Sequence, residues 1–212
     1  MTLTGTHRTP AQGLRENAPG LLSLALAACL AVTTEMSPVG LLPAIGGAFR
    51  VSESVTGLLV SLYAVMVAAL AVPLTIATRR FARKPLLLGT LAGYAVSNSL
   101  VAAAPVFAVV AIGRTVGGLT HALFFSLLIG YAPRLVSRAT VGRALAFIGG
   151  GASTGLVLGV PLSTSLGTAL GWRASFCALA AVSVVTFALV RMLLPSVSHD
   201  GSDPRRETFR RG

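Results

Sequence analysis

Acidic residues are scarce: six Asp and Glu stand against 17 Lys and Arg, and all charged residues together make up 11% of the chain. So little charge excludes an ordinary soluble domain, whose surface needs about twice that share. Cysteine is scarcer still. Cys29 and Cys177 both lie inside apolar stretches, which excludes a disulfide framework and a cysteine-based metal site. No nucleophile–base set, no cluster of metal-ligating residues and no phosphate-binding glycine loop is present. The residues therefore make no case for an enzyme, a metal or another cofactor.

What is abundant is apolar: 54% of 212 residues are hydrophobic and mean hydropathy is +0.81, a membrane composition. The formal charge of +11 in a soluble protein would point to nucleic acid. Here the basic residues fall in short loops and tails between apolar runs, a sign of membrane topology and not of a nucleic-acid partner. Six runs, residues 21–48, 56–78, 85–104, 106–132, 143–169 and 173–194, each reach the ~20 residues needed to span a bilayer. They lack the alternation of a membrane barrel, so an all-α membrane protein of six transmembrane helices is expected. The domain division is a polar tail over residues 1–20, a membrane domain over 21–195 and a second tail over 196–212. Leu26-Ala-Ala-Cys29 resembles a lipoprotein cleavage box, but hydrophobicity continues well past it. Residues 1–48 read as a tail plus the first span, not a cleaved signal.

Orientation follows from Lys and Arg. With the N-terminus cytoplasmic, the inner segments hold fourteen basic residues, including Arg79, Arg80, Arg83, Lys84, Arg134, Arg138 and Arg143, and the outer loops hold two, Arg50 and Arg173. A multi-pass cell-membrane protein with both termini in the cytoplasm is expected.

One basic residue, Arg114, is left inside a span, with His121 seven positions on and Gly117 and Gly118 between. A spacing of seven puts the two about 20° apart on one helical face. A charge at that depth costs at least roughly 2.5–3.5 kcal/mol, so it marks a candidate functional site. The alternative is that Arg114 only ties helices together through carbonyl hydrogen bonds. The first span holds one charge, Glu35, ahead of Pro38, Gly40, Pro43, Gly46 and Gly47, which predict an irregular outer half. Counted from the outer face, the depths of Glu35 and Arg114 differ by only about 6 Å, which brings an ion pair within reach. Either a static pair or a proton-linked carboxylate fits this spacing. Gly151, Gly155, Gly159 and Pro161 in the fifth span form a small-residue stripe ending in a helix-bending proline, suited to close packing or to a hinge.

These blocks together resemble the N-terminal six-helix half of a major facilitator superfamily transporter, closest to the drug–proton antiporter and arabinose-efflux-permease-like branch. Glu35 with Gly40-Leu-Leu-Pro43 is similar to the first-span signature. Arg80-Phe-Ala-Arg83-Lys84 resembles the basic loop between spans two and three. Arg114-x-x-x-Gly118-x-x-His121-Ala-x-Phe124-Phe125 resembles the fourth-span motif, and Gly155-x-x-x-Gly159-x-Pro161 leading to Gly171-Trp-Arg173 the antiporter motif and its exit loop. The loop motif departs from the family's pattern: Thr75 and Arg79 stand where it has glycine and an acidic residue, so no role for that acidic position carries over.

The resemblance implies half of a facilitator bundle, built from two inverted three-helix repeats, with spans 1 and 4 lining the cavity and spans 3 and 6 facing lipid. It implies secondary transport, namely proton-coupled efflux of a small organic solute, drug or sugar-like, by alternating access. Glu35, Arg114 and His121 would form the coupling and substrate cavity. The implied partners are lipid, protons, the solute, and a second six-helix half or a homodimer, because the family has about twice as many spans. The rival readings are a truncated product and a non-transporting membrane interaction protein.

Overall fold

A computed structural model describes residues 17–194. Six long helices account for nearly all of them: α1 (Ala18–Phe49), α2 (Glu53–Ala77), α3 (Arg83–Ala102), α4 (Phe107–Leu135), α5 (Arg138–Leu170) and α6 (Trp172–Leu193), each long and apolar enough to cross a membrane. Every expected run is a helix, with bounds within a few residues. α1 starts at Ala18, inside the expected N-terminal tail, whose residues 1–16 lie outside the described residues, as do residues 195–212 of the C-terminal one.

The turns carry the stop signals. Arg50 adopts φ 55°. Its N–H donates to the Gly47 carbonyl and that of Val51 to the Gly46 carbonyl, a Schellman closure of α1. Ser52 caps α2, its hydroxyl accepting from the Val55 N–H, with Glu53 in the first turn, where the helix dipole favours an acid. Gly171 alone separates α5 from α6, at φ 92°, a backbone region cheap only for glycine.

α1 stays helical to Phe49 with Pro38 and Pro43 inside it, so the irregular outer half expected from its prolines is not formed. The break falls in α5 instead, where Gly155–Gly159 form a π-helical turn just before Pro161. Proline lacks the N–H that would close the preceding turn, and one wider turn absorbs the mismatch.

The packing has an internal symmetry. α2 packs on α4 as α5 packs on α1; α3 packs on α4 as α6 packs on α1; α3 and α6 pack on each other. These five pairings are unchanged when spans 1, 2, 3 are exchanged for 4, 5, 6, as two three-helix repeats require. An odd number of spans per repeat makes the repeats inverted. Cover is uneven: 67% of the apolar stretch of α1 is buried, but 17% of that of α2 and 11% of that of α5. The least covered helices are thus α2 and α5. α3 buries Tyr94, Ser97 and Asn98 against its neighbours.

Candidate functional site

Four helices bring polar groups to one point in this apolar bundle. Arg114 on α4 is among the largest fully buried side chains, 1% exposed. Its Nη1 donates to the Thr34 carbonyl and its Nη2 to the Glu35 carbonyl, both at 2.9 Å. Its Cζ lies 4.1 Å from the centroid of the Tyr63 ring on α2, a cation–π contact strengthened by the lack of water. Its Nε is buried without a hydrogen-bond partner.

The expected ion pair between Arg114 and Glu35 is therefore not what joins α4 to α1. The guanidinium takes backbone oxygens. The Glu35 carboxylate turns to the other α4 residue: Oε2 lies 3.5 Å from His121 Nε2. That is contact distance, though long for a hydrogen bond. The reason lies in the backbone of α1. An ideal helix has no spare carbonyl in its middle, but Pro38 has no N–H to offer the carbonyl four residues before it, that of Thr34.

On its other side His121 meets two tyrosines. The Tyr63 hydroxyl from α2 and the Tyr94 hydroxyl from α3 each lie 3.0 Å from Nδ1. Phe125, one turn along α4, stands with its ring centroid 4.9 Å from that of His121. With a proton on Nε2 facing Glu35, Nδ1 accepts from a tyrosine. With a proton on Nδ1 as well, a phenol oxygen accepts it. Hydroxyls can play both parts, so either protonation state of the imidazole has partners without a change of backbone. Glu35 is the open end of this chain, its side chain 25% exposed against 7% for His121.

Small residues permit the convergence. A methyl group on Gly118 would stand 2.8 Å from the Tyr63 carbonyl oxygen, and one on Gly117 2.7 Å from Ser97 Oγ, so α2 and α3 reach α4 only over glycine. Ser97 Oγ donates to the Gly113 carbonyl at 2.7 Å and Asn98 Nδ2 to Thr34 Oγ1 at 3.3 Å, completing a polar seam around the Arg114 site.

The other singled-out residues lie apart from this cluster. Arg80 is exposed and Arg83 partly buried, its Nε without a partner. Lys84 donates to the carbonyls of Arg191 and Leu194 and so caps the C-terminal end of α6, where a cation is favoured. Gly155, Gly159 and Pro161 lie on the α5 stretch that packs on α1. A Cβ on Gly155 would run into the Cys29 backbone and one on Gly159 into the Thr33 side chain. Thr33 Oγ1 donates to the Gly155 carbonyl at 3.3 Å. Sequence reasoning missed Tyr63 and Tyr94. Their signal was there: the chain has three tyrosines, and a tyrosine mid-span needs a partner for its hydroxyl. Among the described residues no group of His, Cys, Asp and Glu suited to a metal occurs.

Comparison with known proteins gives this geometry a family. The sequence model of the Major Facilitator Superfamily matches residues 24–211. The chain is 38% identical over 196 residues to the chloramphenicol efflux pump Rv0191 of Mycobacterium tuberculosis strain H37Rv, covering 92% of this chain and 47% of that protein. The pump MT0201 of strain CDC 1551 of the same species matches equally. It is 36% identical over 163 residues to the uncharacterized MFS-type transporter YfhI of Bacillus subtilis, covering 77% of this chain and 41% of the relative. The chain spans about half the length of the curated relatives it matches. It is a multi-pass membrane protein, and it belongs to the Major Facilitator Superfamily.

Proposed function

We propose that this chain forms one half of a secondary transporter that exports a small organic solute in exchange for protons. The observation that carries the reading is the Glu35–His121 contact: a quarter-exposed carboxylate 3.5 Å from an imidazole whose other nitrogen meets two hydroxyls. Arg114 is engaged by carbonyls, which leaves the carboxylate free to gain and lose a proton as its surroundings change. Proton release from Glu35 toward His121 would accompany one orientation of the cavity, and proton uptake the other.

The relatives named as chloramphenicol efflux pumps suggest a neutral, drug-sized solute, and chloramphenicol is the natural probe. Paired with a second half, either a separate six-helix chain or a second copy, α2 and α5 would gain the cover they lack. Both termini would lie in the cytoplasm, where fourteen of the basic residues then fall.

The test is accumulation of radiolabelled chloramphenicol in cells making this chain, alone and with a second six-helix half. Export should collapse with the proton gradient and be lost in Glu35→Gln. Cysteine placed at Ser52 should be labelled from outside by an impermeant maleimide in the same cells. Export that persists without the gradient, or in Glu35→Gln, would remove proton coupling through this site. Absence of export in every pairing would favour a membrane interaction protein.

A further inference from the structure

We infer that Arg114 is a surrogate backbone amide: its guanidinium replaces the hydrogen bond that Pro38 removes from α1, and this bond sets the position of Glu35. Three observations converge. Pro38 lies in the middle of α1, which remains helical through it. The carbonyl that a residue at position 38 would serve in an ideal helix is that of Thr34, four positions earlier. Arg114 Nη1 donates to that oxygen at 2.9 Å, and Nη2 donates to the next one, Glu35, at 2.9 Å. A buried carbonyl in an apolar bundle has no water to turn to, so its partner must come from a neighbouring helix. The planar fork of arginine reaches two successive carbonyls at once, which an ammonium group cannot do in the same way.

The pairing explains how a charge can sit 1% exposed with no carboxylate bonded to it. Two carbonyl dipoles and the face of Tyr63 hold the guanidinium. The same bonds fix the backbone of residue 35 against α4, so that its side chain is delivered to His121, seven residues from Arg114. In this reading Pro38 and Arg114 are positioning residues, matched to each other across two helices. The inference rests on geometry alone and stands or falls apart from proton coupling.

The test is a rescue. Arg114→Met keeps the length of the side chain and removes its donors. In the full chain, made in membranes and purified in mild detergent, it should lower the folded yield about tenfold, as loss of hydrogen bonds from a charged group does. Pro38→Ala restores an N–H at position 38. Alone it should leave the yield within about threefold of the parent. Combined with Arg114→Met it should recover most of the loss, because the Thr34 carbonyl regains an in-helix donor. Should Arg114→Met fail to accumulate at all, Arg114→Lys provides a milder loss, and Pro38→Ala should restore it too. Yields of the paired variants that equal the product of the single effects, with no recovery, would overturn the inference. So would a rescue by Pro43→Ala as large as that by Pro38→Ala, since Pro43 is the other proline inside α1 and faces a different carbonyl.

Discussion

His121 Nδ1 is where burial and chemistry meet: a nitrogen deep in the bundle with two phenols, each at 3.0 Å. Removing one hydroxyl leaves the other to satisfy it, while removing both leaves a buried acceptor bare, at a cost of about 1–3 kcal/mol. Tyr63→Phe and Tyr94→Phe should therefore each shift the thermal midpoint of the purified chain slightly, and the pair far more than the sum. Strict additivity would show that the hydroxyls do not share the imidazole. At this scale part of the site was legible in the sequence. Arg114, Glu35 and His121 stand out because ionisable groups are costly inside a span, and helical spacing alone puts Arg114 and His121 on one face. Their pairing was not legible. Depth counted along ideal helices locates a residue to within a turn, and that suffices to bring Glu35 near α4 but not to choose between Arg114 and His121. The acceptors that decide it, the carbonyls of Thr34 and Glu35, belong to the backbone, and only Pro38 hints that one of them is free.

Along the α1–α5 contact the same four-residue step runs on both helices. Gly151 faces Ala25, Gly155 faces Cys29 and Gly159 faces Thr33. Ser37 Oγ then donates to Ser163 Oγ at 2.9 Å, and Gly167 faces Leu41. Two parallel helices locked in one register leave no room for a methyl group at the contact. Gly155→Ala drives a Cβ into the Cys29 backbone and should destabilise the chain by about 1–3 kcal/mol, as overpacking does. Gly149→Ala, six residues earlier on a face where nothing lies within 4 Å, should be neutral or stabilising by up to about 1 kcal/mol through helix propensity. Equal effects of the two, read as thermal midpoints, would remove the close contact. The stripe and the six helices could be read from composition, because membrane spans must be long, apolar and helical. The continuity of α1 through Pro38 could not, because the freed Thr34 carbonyl takes its donor from another helix. Nor could the π-helical turn at Gly155–Gly159, which depends on how Pro161 and the α1 surface are accommodated together.

In the whole bundle the repeat symmetry places the two pivotal helices, α1 and α4, in equivalent positions, and the cluster of Glu35, His121, Tyr63, Tyr94 and Arg114 lies where they meet. Among the described residues the carboxyls are Glu35 and Glu53, and Glu53 opens α2 at the bundle's end. A carboxyl that gains and loses a proton in mid-membrane is thus spectroscopically distinct from one at a helix end. Proton exchange between Glu35 and His121 is the claim on which the transport reading depends. Infrared difference spectra of the full chain in lipid bilayers, recorded as pH is stepped, measure it most directly. A carboxyl band of a buried acid should titrate, vanish in Glu35→Gln and move in His121→Gln. A titration unchanged by Glu35→Gln, or a Glu35 band indifferent to His121→Gln, would contradict a shared proton at this site.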